Sequence, residues 1–475
     1  MGNFSRMENH FDGIILRADS IFVGKQEEVK LIYNKVETNR YINAGSPISM
    51  IAAYCLVGGI ICFFIFQLFI ADENSRVALL YSDSFSQRNE LQNESLPTIA
   101  RLTYAAGFFL LMSACSFFMI ETWHEVGIGY KLALGLMQVW MAIHAILAFS
   151  TGPKVTLPEF CGTKGPLTWI ACSLVFVGIS PNGWQLAKKV FVVLTYVAAV
   201  IVTIKVTLSG SITTTEHQAG RFFVGYIPLL IWTVPLLVYD TSTISISSFK
   251  TVWIMFPLFV LYIISFLSGN RSWIIMMFIH TVIIAFKYGK IVIMRPRTSY
   301  IVLLFMILSV WAVSKVYGEK LKGVTSFLSD SWYVDTRTDQ YRQFLSQVSF
   351  TDLLIGKGPR GTWIWNGQDY DRIDGPFTFL AFEGGFILLA TYIILIVWPP
   401  FQLLYKRPSW QDAAPAIVLV FWVLAMMGLS TYTGPRASYE HAVICILAGR
   451  CYYLGRGQSY IQSLNFNRRI VSHPR

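Results

Sequence analysis

Long apolar runs separated by short polar stretches dominate the chain. They lie near residues 49–71, 102–120, 131–150, 167–180, 187–208, 222–239, 251–268, 272–289, 299–316, 376–398, 413–429 and 437–454. Most approach the roughly 20 apolar residues that a hydrocarbon core demands of a helix. Only helices and closed barrels span a bilayer, and runs of this length are helical. The pattern predicts an all-α polytopic integral membrane protein with about twelve transmembrane helices. The fourth run is short enough to be re-entrant. The seventh and eighth are joined only by Gly269-Asn270-Arg271, a tight hairpin. No internal repeat stands out, nor a symmetric pair of Gly/Pro-broken helices of the kind that marks transporters.

One polar stretch interrupts this rhythm. Roughly 60 residues separate the ninth and tenth runs, and loops longer than about 15 residues are functional or disordered. Its motifs argue for order. The chain therefore divides into a mixed-charge arm (1–48), spans one to nine (49–316), a large loop (317–375), spans ten to twelve (376–454) and a basic tail (455–475). The arm is polar and carries no cleavable signal, so the first span itself directs insertion.

Composition fits a membrane protein: 54% of residues are hydrophobic and 14% charged, where soluble domains carry about a quarter charged. The net charge of +11 reflects the positive-inside bias and the handling of phosphate or anionic lipid, not nucleic acid. More than half of the 38 basic residues fall on one set of alternate connections, including Lys188-Lys189, Lys287, Lys290, Arg295, Arg297, Lys406-Arg407 and Arg468-Arg469. That bias puts both termini in the cytoplasm and the large loop outside. The seven cysteines lack CxxC spacing and the seven histidines lack HxxxH or HExxH. No disulfide framework, metal or cofactor is expected.

The loop carries the candidate chemistry. Thr336-x-x-Asp339 reads as a capping box, with Tyr341, Phe344, Leu345 and Val348 on one face of the helix that follows. Arg337, four residues before Tyr341, shares that face and requires either a structural carboxylate or a phosphate, which a guanidinium grips bidentately. Arg342 falls on the flank, toward solvent. Gly356-Lys357-Gly358-Pro359-Arg360-Gly361 matches G-x-G-x-x-G, but Pro359 and the missing βαβ unit exclude a dinucleotide site. What remains is either an ordinary tight turn or backbone N–H groups aimed at an anion with Lys357 and Arg360 beside them. Trp363, Trp365 and Tyr370 are read as exposed aromatics that stack on sugars or rest at the interface; Tyr341 is a further sugar-contacting candidate. Asp374 is either the N-cap of the next span or a general base at the membrane lip. Glu383, two turns into that span, faces the bundle interior as a base or as an arginine's partner. Arg271 is an anion clamp or a snorkelling hairpin residue. With Arg101, Arg221, Arg337 and Arg436 it would form a cationic ring at the outer ends of the spans.

These stretches resemble the O-antigen polymerase and O-antigen ligase family of bacterial envelope proteins over residues 265–400. A Ser-Gly-x-Arg turn (Ser268 to Arg271) opens a span. A large loop then carries Arg337 nineteen residues before Gly356-x-Gly358. A polar residue precedes a span reading x-Phe-Leu-x-x-Glu-Gly-Gly, here Phe379-Leu380 to Glu383-Gly384-Gly385. The resemblance implies a GT-C-like fold in the bacterial inner membrane. It implies a glycosyltransferase acting at the periplasmic face on undecaprenyl-pyrophosphate-linked sugars, without nucleotide sugar or metal. It makes Arg271 and Arg337 pyrophosphate-binding residues and Gly356-x-Gly358 the loop turn. Ligases carry a His-Asn pair before the post-loop span; here the positions read Ile373-Asp374, which favours a polymerase of a surface polysaccharide (O-antigen, capsule or exopolysaccharide). A growing chain would be the donor, another lipid-linked unit the acceptor, and a chain-length regulator and a repeat-unit flippase the partners. Arg271 and Arg337, with Arg360, would hold the leaving pyrophosphate, and Asp374 or Glu383 would deprotonate the acceptor, with inversion. Alternatives are the ligase, a peptidoglycan glycosyltransferase and a transporter. A flippase should carry charge deep in several spans, whereas the ionisable residues here are expected at span ends.

Overall fold

The computed structural model describes residues 47–80, 97–151, 166–209, 225–240, 248–267, 271–294, 336–358, 361–365, 367–370, 373, 375–425 and 438–471. The predicted ninth span (299–316), nearly all of the arm and the first part of the loop lie outside them. Met1–Ala53 forms one compact unit and Tyr54–Arg475 another; the first is described only from Pro47.

The described residues are overwhelmingly helical. In order they form α1 (Pro47–Leu80), α2 (Thr98–Thr122), α3 (Ile128–Thr151), a 3₁₀ helix (Pro166–Leu174) leading into α4 (Val175–Ile179), α5 (Pro181–Ser209), α6 (Thr233–Asp240), α7 (Ser248–Leu267) and α8 (Arg271–Met294). The loop supplies α9 (Thr336–Gln347), α10 (Phe350–Ile355), β1 (Trp363–Trp365) and β2 (Gln368–Tyr370). Then come α11 (Pro376–Tyr392), a π-helical turn (Ile393–Val397), α12 (Trp398–Tyr405), α13 (Trp410–Leu424) and α14 (Tyr439–Val471). Among the described residues, five stretches are long and apolar enough to cross a membrane: Ser49–Asp72, Thr98–Glu125, Ile128–Ala148, Pro181–Leu208 and Phe377–Tyr405. Shorter apolar helices fill the interior, among them Trp169–Ile179, Ile227–Tyr239 and Trp410–Leu424. The architecture is that of a membrane-embedded helical protein.

Several elements depart from the hydropathy pattern. The fourth run is not a regular span: it starts as a 3₁₀ helix and ends at Ser180, and every residue of α4 is buried. Among its described residues the sixth run is α-helical only from Thr233, after a 3₁₀ turn at Ile227–Leu229. The last helix continues well past the apolar stretch, because helix propensity and not hydropathy decides where a helix leaving the bundle stops. A two-stranded hairpin adds a little β-structure to the expected all-α fold.

The centre of the bundle is α4 against α14. A Cβ on Gly178 would overlap the Ile446 carbonyl oxygen, and one on Gly449 would overlap the Val175 carbonyl oxygen. Two glycines thus bring the backbones together, the usual way helices pack where lipid gives no hydrophobic drive. Of the five long stretches, Phe377–Tyr405 is the most enclosed, with 61% of its apolar window buried against 33–39% for the others. Polar ties mark both ends of the bundle. At one end Asp72 accepts from Lys205 (2.8 Å) and Tyr226. At the other, Gly127 N–H donates to the Tyr452 hydroxyl (2.8 Å) and Lys406 to the Gly455 carbonyl. The seventh and eighth runs pack side by side, α7 against α8 with Tyr262 Oη donating to the Met277 carbonyl (3.1 Å); the expected turn at 268–270 lies outside the described residues.

The loop builds its own small core from Phe344, Val348, Trp363, Ile373 and Phe382, with Tyr341, Leu353, Trp365, Tyr370 and Phe379 packed around it. Phe382 belongs to α11, so this core is continuous with the span. Gln347 on α9 fixes the hairpin by donating to the Ile364 carbonyl and accepting from its N–H, both at 2.8 Å. Gly367, at φ +78°, makes the turn between the strands.

Candidate functional site

The site forms where α11 breaks. Its apolar run starts with Pro376, whose fixed φ suits a first helical turn, and proceeds to Glu383. Gly385 then adopts φ 71°, ψ −172°, a region that only glycine enters without large strain. A break deprives the preceding carbonyls of their i+4 donors, and within a membrane such groups must find partners inside the protein. Three successive carbonyls do. Phe382 O accepts from Lys357 N–H (2.7 Å) and Glu383 O from Gly358 N–H (2.8 Å). Gly384 O accepts from Trp140 Nε1 (2.6 Å).

The loop reaches the break through a short capped helix. Ser349 accepts from Asp352 N–H while the Asp352 carboxylate accepts from Ser349 N–H, a complete capping box. It starts α10, whose last turn hands over to Gly356 (φ +91°) and Gly358 (φ +80°). A Cβ on Gly356 would fall 2.7 Å from Glu383 O, and one on Gly385 would overlap the backbone of Leu354 and Ile355. The two glycine turns are pressed together with no space for side chains. On α3, Trp140 and His144 share a face one turn apart. His144 Nε2 lies 3.1 Å from Ile355 O, so this one helix ties both the break and the loop. The Glu383 side chain is 6% exposed and accepts from Trp169 Nε1 at 3.3 Å. A carboxylate is thereby held at the seam between loop and bundle.

This geometry revises several expectations. The N–H groups of Lys357 and Gly358 do not point at an open anion site; the broken helix consumes them. Lys357 Nζ sits 3.6 Å from the Asp352 carboxylate. Burial pushes Asp352 up, but the Ser349 N–H and hydroxyl and the Lys357 charge outweigh it and hold the carboxyl below its usual range. Trp363 is not an exposed stacking platform: at 3% exposure it packs edge-on to Phe344, with ring centroids 5.4 Å apart. Trp365 and Tyr370 lean on the same core. The Tyr341 hydroxyl occupies the place a Cβ of Gly375 would take, directly at the mouth of α11. Leu345, expected on the apolar face, is 59% exposed, and Gln340 is buried instead. Arg342 faces solvent and pairs with Asp339 at 3.0 Å.

Arg101 is exposed in the first turn of α2. Arg271 opens α8 and Arg337 lies in the first turn of α9, but their side chains are outside the described set. Arg221, Arg360, Arg436 and Asp374 lie outside the described residues altogether; Asp374 is flanked by buried Ile373 and by Gly375 beneath Tyr341.

Not every ionisable group sits at a helix end: Glu383 (6% exposed) and His280 (1%) are buried within α11 and α8, and Glu440 (8%) and His441 (2%) are buried in the first turn of α14. Glu440 accepts from Trp232 Nε1 at 2.8 Å, repeating the indole–carboxylate pairing of Glu383. The sequence argument against transport, which rested on charge lying only at the ends, is weakened accordingly. A second cluster also escaped notice: Cys172, His441 and Cys445 bring their ligating atoms within 4.8 Å of one another. His441-x-x-x-Cys445 is an i, i+4 pair on one helix face, a spacing visible in the sequence once mixed His/Cys pairs are sought. Trp140, His144 and Trp169 had no such mark beyond being polar-tipped side chains inside apolar runs.

No protein-family model, curated protein or solved structure matches this chain.

Proposed function

We propose that the chain is an integral membrane glycosyltransferase that joins lipid-pyrophosphate-linked oligosaccharide units into a polymer. The observation that carries this reading is the seating of the loop on the break beside Glu383. It holds a carboxylate in a water-poor seam where a membrane-borne substrate and a loop-bound sugar would meet. Trp169 Nε1 donates to that carboxylate and orients it, and a positioned carboxylate is a suitable proton acceptor. In the reaction the acceptor hydroxyl attacks the anomeric carbon as the bond from that carbon to the pyrophosphate oxygen breaks. The hydroxyl proton passes to Glu383 or Asp374, and the lipid pyrophosphate departs with the electron pair. Attack opposite the leaving group inverts the anomeric centre. Arg271 and Arg337, with Arg101, Arg221 and Arg360, would neutralise the diphosphate as its charge grows. Lys357 would join them only by leaving Asp352. The donor class, undecaprenyl pyrophosphate on the outer face of a bacterial inner membrane, follows from the resemblance of residues 265–400 to the O-antigen polymerase and ligase family. The polymerase reading rests on Ile373-Asp374 standing where ligases have His-Asn.

The test is polymerisation of a synthetic undecaprenyl-pyrophosphate oligosaccharide by the chain in nanodiscs. Wild type should give a ladder of products, and Glu383→Gln should slow it by about 10²–10⁴-fold, the usual worth of a general base. Trp169→Phe, which keeps the carboxylate but removes the indole N–H that donates to it, should lose far less. If Glu383→Gln made a normal ladder while Asp374→Asn did not, the base would be Asp374. If wild type made no polymer but moved the labelled lipid between leaflets, the second reading, transport, would replace the first. Buried Glu440 and Glu383 are what favour that second reading.

A further inference from the structure

We propose that Cys172, His441 and Cys445 form an intramembrane binding site for one thiophilic divalent cation, of the zinc class. This does not depend on the glycosyltransferase reading. Cys172 comes from the 3₁₀ helix before α4, and His441 and Cys445 come from one face of α14. Both cysteines are fully buried and His441 is 2% exposed. The ligating atoms lie within 4.8 Å of one another. A tetrahedral zinc with Zn–S near 2.3 Å and Zn–N near 2.0 Å needs donors roughly 3.5–3.8 Å apart. The cluster therefore needs to tighten by only about an ångström to close on an ion.

Three features point to a ligand rather than to ordinary packing. First, His441 Nε2 faces the Tyr392 hydroxyl at 3.3 Å, while its buried Nδ1 has no hydrogen-bond partner. An orphaned nitrogen in a membrane interior is costly, and a metal bond at Nδ1 resolves it, because Nε2–H can then donate to the Tyr392 hydroxyl. Second, two sulfurs and an imidazole are a soft donor set that suits zinc-like ions and not magnesium or calcium. Third, the charges cancel. A divalent cation binding two thiols and a neutral imidazole releases two protons to solvent during folding and leaves a complex with no net charge, the form a low-dielectric interior tolerates. The ion would pin the 3₁₀ segment to α14 one to two turns from the Gly178–Gly449 crossing, where that segment has no regular helix ladder of its own.

Because the site is enclosed, the metal must enter while the chain folds. The full-length protein should be expressed in minimal medium supplemented with Zn²⁺, or separately with Co²⁺, then purified in chelator-washed detergent. We expect about one zinc per chain by plasma mass spectrometry, and for the cobalt-grown protein the thiolate-to-metal charge-transfer band near the ultraviolet with visible d–d absorption of tetrahedral Co²⁺. Cys445→Ser and His441→Gln should each lower the metal content at least tenfold, whereas Cys115→Ser, a buried cysteine outside the cluster, should keep it. The proposal is overturned if wild-type protein holds less than about a tenth of an ion per chain and shows no cobalt spectrum. It is also overturned if a Cys172–Cys445 disulfide is recovered in an unreduced digest, or if all three variants carry metal at the wild-type level.

Discussion

Replacing Gly385 by alanine separates the two halves of the candidate site with a single methyl group. At φ 71°, ψ −172° an alanine pays about 1–3 kcal/mol in backbone strain. Its Cβ would in addition overlap the backbone of Leu354 and Ile355 at the end of α10, an overpacking worth about 1–3 kcal/mol. The chain has a cheaper alternative: residue 385 turns helical, α11 runs straight, and the carbonyls of Phe382, Glu383 and Gly384 regain partners in their own helix. The loop then loses both acceptors for Lys357 and Gly358. Docking should weaken by about 2–6 kcal/mol, and since 1.4 kcal/mol is tenfold, exchange of those two amides should accelerate at least about 30-fold. Hydrogen exchange with mass-spectrometric readout over residues 350–362 measures this in detergent. Gly367→Ala is the control: it also starts from positive φ, +78°, but nothing lies within 4 Å of its Cβ. It should strain the hairpin turn and leave those amides protected. Equal protection in wild type and Gly385→Ala would refute the coupling between the break and the loop.

Three further outcomes follow from the same geometry. Trp140→Phe strands the Gly384 carbonyl and should cost about 1–3 kcal/mol, seen as a lower apparent melting midpoint than that of Trp398→Phe, whose indole is 60% exposed. Gly449→Leu should drive α4 from α14 and abolish a monodisperse detergent-extracted species. Gly135→Ala, with nothing within 4 Å of its Cβ, should extract normally. Asp352 is held below the usual carboxylate value, so its contribution to loop docking is complete above about pH 4 and is lost only as pH falls through its lower folded value. Trypsin-accessible Lys357 in protein held at pH 5 and pH 8 should therefore be equally protected when probed after a rapid pH jump, and Asp352→Asn should be cut faster at both.

Hydropathy made the membrane helices legible because burial in lipid acts on every residue of a span, and an additive signal survives averaging. It could not reveal features that depend on a partner far away in sequence. Residues 167–180 are as apolar as a span, yet they pack as a 3₁₀ segment followed by the short helix α4, because neighbouring helices supply their contacts. Trp363 reads as exposed because its surroundings in sequence are polar, while Phe344 and Phe382, from two other elements, enclose it. The Cys172–His441–Cys445 cluster joins residues from opposite halves of the chain. Gly384-Gly385 stands in the sequence only as a glycine pair, and a glycine pair can bend, break or merely thin a helix. Which of these occurs is decided by whether donors exist to receive the freed carbonyls.

That last condition ties together two motifs that look independent in the sequence. A broken span in a membrane is affordable only if the carbonyls before the break are met from within the protein. A loop turn whose glycines adopt positive φ has its N–H groups facing one way and requires acceptors there. Gly356-x-Gly358 and Glu383-Gly384-Gly385 answer each other's need: the first supplies the N–H groups of Lys357 and Gly358, the second the carbonyls of Phe382 and Glu383. Neither arrangement persists alone. The loop cannot swing clear of the bundle without leaving two carbonyls unpaired, and α11 cannot straighten without evicting the loop.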